Sequence, residues 1–316
     1  MEAIENILVE DNRVSEYTEF VNALGKGSIQ IAPSREDSLL FRAAQRVYSR
    51  NEIPQAISSF EKYLDTYPKG RYSTTARYLL ASCYYTQKQP AKALPLYKAL
   101  LSDKENPNQE ESLARAAEIS YDLGQYAESM EYFKQLEAIG SSENKMVARI
   151  GLMRASYILK RYDETITYAT NFISLHSNNL ELLREAQHKR MLSYLELNKA
   201  QNALPDMQIL AKDTRNAFGA EAKYLLATHY YLAKQYESAE KEVFDFIDKG
   251  TPHHKWLAKA FILLADVYME QDNYFEAKQY LLSLKSNYPK DDVEIASEIN
   301  TRLEEIAKIE NEKVNN

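Results

Sequence analysis

Small and compact residues recur along this chain at a nearly constant interval. One series of positions is spaced 36 to 38 residues apart, as the residue numbers give: Ala56, Ala93, Ser129, Thr165, Ala203, Ala239 and Ala277. A second series lies twelve residues before the first: Ala44, Ala81, Ala117, Met153, Met191, Ala227 and Ala265. Self-similarity at such a period is typical of a repeat fold, in which each unit packs only on its neighbours.

The residues around each pair of positions predict two helices. In the clearest repeat, Leu226 and Tyr230 are four residues apart on the first run, and Ala239 and Val243 are four apart on the second. This spacing places the apolar side chains of each run on one helical face. Small residues on both faces let two helix axes approach closely. Each repeat is therefore predicted to be an antiparallel helical hairpin.

Composition and charge exclude several classes of function. Eight glycines and nine prolines in 316 residues are too few for a strand-rich sandwich. The net charge of -7, with both signs spread along the chain, provides no basic field for nucleic acid. Cys83 is the only cysteine, so an intrachain disulfide cannot form. We also expect no transmembrane segment, and the first residues have neither the basic region nor the apolar run of an export signal.

The pattern divides the chain into four parts. Residues 1–27 match a partial N-terminal helical repeat, and residues 34–289 hold seven repeats. Residues 290–309 have one apolar stripe, as a C-terminal capping helix does, and residues 310–316 are expected to fray. Residues 26–33 resemble a linker, after which Ser34 and Asp37 predict an N-cap pair. Because the first repeat begins inside a hairpin, we expect a fragment of a longer repeat protein; a shortened natural cap is the alternative.

This register resembles the tetratricopeptide repeat. Leucine precedes the small residue of the first helix at Leu80, Leu226 and Leu264, and tyrosine follows it by three residues at Tyr84, Tyr230 and Tyr268. Pro68 and Pro289 stand where the family ends its second helix. The resemblance implies an all-α fold, a right-handed α-α superhelix of seven helical hairpins whose first helices line a concave face. The interval exceeds the family's typical length of about 34 residues, as in longer-repeat members from the bacterial cell envelope.

The resemblance also implies a non-catalytic scaffold that binds a protein or peptide partner on its concave face. The residues expected to line that face are Phe41, Tyr48, Tyr78, Tyr85, Tyr121, Tyr157, Tyr224, Thr228 and Tyr231. Tyrosine suits this role because its ring offers a large contact area at little entropic cost and keeps a hydroxyl for polar partners. The alternative is that these tyrosines only pack against the neighbouring helix. The identity of the partner and the oligomeric state are left open.

The alternative function is a glycan-binding or uptake-associated role in the cell envelope, because tyrosine platforms also stack on sugars. Binding of an acidic C-terminal tail is disfavoured. The positions where chaperone-binding members of the family carry a basic clamp hold Phe41, Gln45, Tyr78 and Ser82. By resemblance we expect the periplasm or cell envelope as the compartment, with the cytoplasm as the alternative.

The titratable residues predict no enzyme, cofactor or metal site. His253 and His254 have no carboxylate or cysteine at ligand spacing. His188 and His229 are expected to be polar surface residues of first helices. Cys83 lies in a run with a buried pattern, which predicts a packed thiol rather than a reactive one. The sequence contains neither a Gly-rich phosphate loop nor a recognised nucleophile motif.

Overall fold

The computed structural model describes residues 2–24, 31–104, 106–175, 178–289 and 291–315. Most of the predicted linker at residues 26–33 lies outside this described part. The chain forms two compact units, unit 1 of residues 1–159 and unit 2 of residues 160–316. The boundary between them falls inside the fourth predicted repeat, between its first and second helices.

Unit 1 consists of helical hairpins. Its helices are α1 Glu2–Glu10, α2 Val14–Leu24, α3 Pro33–Ser49, α4 Ile53–Thr66, α5 Ser73–Thr86, α6 Pro90–Leu101, α7 Gln109–Asp122, α8 Tyr126–Ile139 and α9 Ser142–Ile158. The two helices of a hairpin pack together, as α5 does on α6, and each second helix also packs on the next first helix, as α6 does on α7. The first helices α7 and α9 also contact each other directly.

Unit 2 repeats the arrangement. Its helices are α10 Tyr162–Ser174, α11 Leu180–Glu196, α12 Ala200–Leu210, α13 Ala217–Leu232, α14 Tyr236–Lys249, α15 His254–Glu270, α16 Tyr274–Asn287 and α17 Val293–Asn315. The first helices α13 and α15 are in contact, and α17 packs on both α15 and α16. No strand occurs in the described residues of either unit. The predicted all-α class is confirmed.

The two series of repeating positions lie at the centre of the packing. All fourteen side chains are buried, with an exposed fraction of 1% or less. Most of them are small because the two helix axes of a hairpin approach most closely there, and Met153 and Met191 are the larger exceptions. Ser129 satisfies its buried hydroxyl by donating a hydrogen bond to the Ala117 carbonyl at 2.8 Å. Larger side chains fill the space on either side, as Phe60, Tyr63 and Tyr97 do in the first two full hairpins.

The turns inside the hairpins share one backbone geometry. In each, one residue adopts a left-handed conformation: Asn12, Asn51, Lys88 and Gly124 in unit 1, and Lys160, Asn198, Lys234 and Asp272 in unit 2. The next residue then donates a backbone hydrogen bond to the last turn of the preceding helix, as Gln89 does to the Tyr84 carbonyl at 2.9 Å. This closure is the Schellman motif, which reverses the chain in three residues.

The predicted N-cap pair of Ser34 and Asp37 is wrong. Ser34 does not cap α3, because the helix begins one residue earlier at Pro33, and proline is favoured in the first turn. Asp37 is instead buried inside that helix, where it accepts hydrogen bonds from the Tyr63 hydroxyl at 2.6 Å and from the backbone N–H of Arg71 at 2.9 Å. The carboxylate therefore ties α3 to the connection between α4 and α5.

The C-terminal helix α17 packs with its apolar stripe inward. Ile295, Ile299 and Ile306 are buried against α15 and α16. Contrary to the predicted end of the cap at residue 309, the helix continues to Asn315. Lys278 of α16 explains part of this extension, because its ammonium group lies 2.6 Å from the carboxylate of Glu310. The remaining domain bounds stay a prediction.

Candidate partner-binding surface

The predicted tyrosines of unit 1 are half-buried on the first helices. This holds for Tyr48, Tyr78, Tyr85, Tyr121 and Tyr157. Tyr48 contacts Phe60 edge-on at 6.3 Å between ring centroids, and Tyr78 contacts Tyr97 in the same way at 6.5 Å. Burial raises the pKa of the Tyr78 hydroxyl, and the nearby Glu111 carboxylate adds to the effect. These rings are therefore held by the core on one side and reach solvent on the other.

Phe41 does not belong to this surface. Its side chain is only 5% exposed and stacks on Tyr72 with ring centroids 4.5 Å apart. Tyr63 also contacts the Phe41 ring edge-on at 5.7 Å. Tyr72 lies in the connection that leads into α5 and covers Phe41 from outside. The prediction for Phe41 is therefore corrected, and we assign it to the core.

Arg115 of α7 fixes Tyr85 of the preceding hairpin. Its guanidinium lies 4.8 Å from the centre of the Tyr85 ring, and one nitrogen is 3.4 Å from the tyrosine hydroxyl. Arg115 is in turn held by the carboxylates of Glu111 at 3.0 Å and Glu118 at 2.9 Å. Burial raises the pKa of Tyr85, and Glu118 raises it further. The Tyr85 ring is thus preorganised in one orientation by a charged network.

A cleft of about 320 Å³ lies in unit 1 between α7, α8 and α9. Its lining comprises Tyr121, Phe133, Val147, Ile150, Gly151 and Arg154, together with the carboxylates Glu118 and Asp122. Tyr121 is the predicted surface residue among them, and its ring contacts Tyr126 edge-on at 5.1 Å. Burial raises the pKa of Asp122, and the charge of Glu118 raises it further. The cleft combines an apolar wall with a rim of closely spaced charges.

In unit 2 the predicted residues are also half-buried on a first helix. The Tyr224 ring lies 5.7 Å from the Trp256 ring, and the Lys259 ammonium lies 5.8 Å from the Trp256 ring centre. Thr228 donates its hydroxyl hydrogen bond to the Tyr224 carbonyl at 2.9 Å, so this group is used within the helix. Tyr231 contacts Tyr236 at 6.0 Å between ring centroids. Burial raises the pKa of Tyr231, with Asp266 and Glu270 adding to it.

Two polar side chains of unit 2 are buried, and for His188 this contradicts the predicted surface position. His188 is 9% exposed rather than a surface residue, because it stacks on Phe218 at 4.5 Å and its Nε2 lies 2.7 Å from the Glu221 carboxylate. Lys223 is 3% exposed and donates to the carboxylates of Glu242 and Asp245. The helical period does not predict that Lys223 is buried. Only its place in the repeat indicates a position that is normally apolar.

Cys83 is packed in the core rather than placed on this surface. Cys83 is fully buried, and burial raises the pKa of its thiol to about 11, so the thiol is neutral at physiological pH. In the described ranges, no group of three or more His, Cys, Asp or Glu side chains is arranged to hold a metal ion. Among the same residues, no helix combines the length and apolar character required to span a bilayer.

Comparison with protein families finds three matching segments. Residues 189–252 and 259–291 match models of the tetratricopeptide repeat. Residues 33–112 match a family described as an outer membrane lipoprotein. The comparison with curated proteins found no match.

Solved structures are similar in fold at low sequence identity. A signal transduction ATPase with a tetratricopeptide repeat sensor from Pyrococcus horikoshii aligns with a TM-score of 0.52 and 14% identity, over 95% of this chain and 50% of the ATPase. The chain thus spans about half the length of that relative. The Naa15/Naa10 complex bound to HypK-THB aligns at 0.49 and 14% identity, over 84% of this chain and 39% of that chain. A tetratricopeptide repeat protein from Parabacteroides merdae aligns at 0.43 and 12% identity, over 87% of this chain and 100% of that chain.

Proposed function

We propose that this chain, two segments of which match models of the tetratricopeptide repeat, is a non-catalytic scaffold that binds a protein or peptide through the tyrosines of its first helices. The observation that supports this proposal is the packing and partial exposure of those tyrosines. Each ring is fixed on one side by packing and half-open on the other, as Tyr48, Tyr78 and Tyr85 are in unit 1. An anchored ring loses little entropy when a partner covers it, so its contact area contributes to affinity.

The same argument applies within unit 2 to Tyr224 and Tyr231. Tyr224 rests on Trp256, and Tyr231 lies beside Tyr236 with two carboxylates nearby. Both rings are half-buried and carry hydroxyls that can hydrogen-bond to a peptide backbone. Thr228 contributes chiefly its methyl group, because its hydroxyl is bound to the helix backbone.

The test begins by isolating a partner from the native cells with the full chain as bait and identifying it by mass spectrometry. Binding of the purified partner is then measured by calorimetry for the wild type and for Tyr85→Ser with Tyr157→Ser. We expect at least a tenfold loss of affinity, the usual size of the effect when anchoring aromatics are truncated. Circular dichroism should show the same helix content in both proteins.

Tyr132→Ser is the matched control. Tyr132 is a half-buried tyrosine of the same unit, but it lies on the second helix α8. It should leave affinity unchanged. Unaltered binding by the folded double variant would contradict the proposal, and binding of a polysaccharide in place of a protein would support the glycan function instead. A collapse of the melting transition in Tyr85→Ser would assign that ring to the core alone.

For the compartment, we propose the bacterial envelope. The support is the match of residues 33–112 to a family described as an outer membrane lipoprotein. Fractionation of native cells should recover the protein with the periplasmic or membrane fraction, where externally added protease reaches it after the outer membrane is permeabilised. Recovery in the protease-protected cytoplasmic fraction would contradict this assignment.

A further inference from the structure

We infer that the cleft between α7, α8 and α9 binds a peptide segment in which one lysine or arginine lies beside an aliphatic side chain. This inference rests on the proposed function, because it names the chemistry of the peptide that a scaffold of this kind would hold. All residues of the cleft belong to unit 1.

Gly151 and Phe133 meet in the lining of the cleft. Counted from the compact residue of its own helix, Gly151 holds the position that Leu79 and Arg115 hold in the two preceding repeats. The missing side chain leaves a space that the Phe133 ring enters, since a Cβ atom on Gly151 would overlap that ring. Phe133 itself is buried at 4% exposure. The ring therefore lies against the backbone of α9, in the place that a side chain at residue 151 would take, and forms part of the apolar lining.

One wall of the cleft suits an aliphatic group. Val147 is 43% exposed although it is apolar, and the half-buried Ile150 lies one turn further along the same helix. Together with the Phe133 ring and Tyr121 they form a continuous apolar lining. Covering an exposed valine of this kind removes apolar surface from water, which favours an aliphatic ligand group.

The charged residues on the rim of the cleft favour a ligand that carries one cationic group. Two carboxylates and one guanidinium line the cleft: Glu118, Asp122 and Arg154. Glu118 is bound to Arg115 at 2.9 Å. Asp122 forms no ion pair in the described part of the chain, and its pKa is raised by burial and by Glu118 rather than lowered by a cation. A lysine stem can lie along the apolar wall while its ammonium group reaches Asp122.

The cleft can be probed with two capped peptides, acetyl-Leu-Lys-Leu-amide and acetyl-Leu-Glu-Leu-amide. The full chain is labelled at its Ile, Leu and Val methyl groups and titrated with each peptide by NMR. We expect the lysine peptide to shift the methyl signals of Val147 and Ile150 and to leave the exposed Val293 of unit 2 unshifted. The glutamate peptide should bind more weakly by an order of magnitude or more, and 0.5 M salt should weaken the lysine peptide.

Two variants test the two halves of the cleft. Asp122→Asn should weaken the lysine peptide about threefold, the scale of one partly exposed charge pair. Val147→Lys places a tethered cation at an exposed position and should abolish the Ile150 shift. Asp65→Asn is the control, because Asp65 is an exposed carboxylate of α4 in the same unit and should leave binding unchanged. All three changes are at exposed positions, so the fold should be retained.

The outcomes separate this inference from the scaffold proposal. Equal binding of both peptides, shifts only at methyls outside the cleft, or full binding by folded Asp122→Asn would overturn the assignment of the cleft. If a partner from native cells still depends on Tyr85 and Tyr157, the scaffold proposal survives that result. If no partner depends on those tyrosines while the lysine peptide shifts Val147 and Ile150, the cleft stands and the tyrosine surface does not.

Discussion

The third full hairpin, in unit 1, and the sixth, in unit 2, share one repeat register but solve the same packing problem in opposite ways. In the third, Phe133 of the second helix faces Gly151 of the next first helix. At the corresponding positions of the sixth, Val243 and Leu263 occupy one core cluster and are buried at 0% and 5% exposure. A large side chain facing a glycine in the third hairpin is replaced in the sixth by a medium-sized side chain facing a large one. The larger residue of the facing pair thus lies on the second helix in the third hairpin and on the next first helix in the sixth.

The rims of the two hairpins differ in charge as well. Counted from the alanine of the first helix, Asp122 corresponds to Leu232, which is 74% exposed, and Glu118 corresponds to Thr228. The buried Leu113 of the third hairpin corresponds to the buried Lys223 of the sixth. The third hairpin therefore carries its charges on the open face, whereas the sixth has a charge within its packing. The repeat register shared by the two hairpins determines where residues lie, but it does not determine which face is polar.

The largest effect is expected from Gly151→Leu, which gives the third hairpin the leucine of the sixth. Its side chain would overlap the Phe133 ring, so we expect a loss of about 3 kcal/mol in the free energy of unfolding. Adding Phe133→Val should recover about 1–3 kcal/mol, because the smaller residue makes room for the leucine. Urea unfolding followed by circular dichroism measures all four proteins of the cycle. Simple additivity of the two single changes would mean that the volumes are not exchanged between these positions.

Lys223→Ala should follow in size. It leaves the carboxylates of Glu242 and Asp245 without their shared cation, and we expect a loss of about 2–3 kcal/mol, less than for a fully buried pair since both carboxylates are partly exposed. Lys223→Leu, which copies Leu113, should lie within about 1 kcal/mol of wild type. The control Lys249→Ala removes an exposed partner of Asp245 and should cost at most about 0.5 kcal/mol.

The stability that the ion pair of Lys223 and Asp245 contributes depends on pH. Burial raises the pKa of Asp245, but hydrogen bonds from Lys223 and Lys249 outweigh it and hold the pKa below its ordinary value of 3.8. A lowered pKa contributes stability that is present above the ordinary value and is lost as the pH falls below it. The difference between wild type and Lys223→Leu should therefore shift in favour of the leucine below about pH 4. An unchanged difference between pH 7 and pH 3 would show that the ion pair does not form in solution.

A smaller effect is expected in the turns. Gly124 in the third hairpin and Lys234 in the sixth both have positive φ, at 75° and 57°. Lys234→Gly should stabilise unit 2 by about 0.5–1 kcal/mol, because glycine avoids the steric cost of the left-handed region. Gly124→Ala should destabilise unit 1 by a similar amount, about 1 kcal/mol, and no neighbouring atom lies within 4 Å to add a clash. Equal melting temperatures for Lys234→Gly and wild type would exclude strain at this turn.

The smallest effect concerns Asp122. Its raised pKa means that ionisation disfavours the folded state, so its stability contribution is full below pH 3.8 and is lost as the pH rises through the folded value. Asp122→Asn should thus raise the melting temperature slightly at pH 7 and leave it unchanged at pH 3. This gain in stability would accompany the loss of lysine-peptide binding, the combination expected of a binding residue. A melting temperature lowered at pH 7 would instead assign Asp122 a structural role.

The candidate surface was only partly predictable from the sequence. Tyr48, Tyr78 and Tyr85 stand at regular positions, and their half-burial follows from the helical period. Phe41 shares that period, yet Tyr72 from a connection between helices covers it, and no periodic pattern places a connection in space. The role of these tyrosines in binding stays a prediction. The cleft was not predicted at all, because its lining comes from three helices and the sequence does not record how those helices pack.

The buried polar side chains also show what the sequence alone does not predict. His188 and Lys223 are polar residues on first helices, and polarity alone predicts exposure. His188 is buried because Phe218 and Glu221 of the following first helix provide a stacking face and a carboxylate. Lys223 is buried because two carboxylates of α14 surround its ammonium group. These partners come from other helices, and their distances depend on how the hairpins pack.

By itself the sequence determined the all-α class, the hairpin repeat and the compact residues at each helix crossing. These depend on the period of neighbouring residues along one helix, which the order of residues records directly. Only the tertiary structure decided that the Phe133 ring fills the space beside Gly151, that Leu263 fills the corresponding place, and that Asp122 has no cationic partner in the described chain. Those features depend on how side chains of different helices share one volume and pair their charges. These contacts are set only when the helices pack.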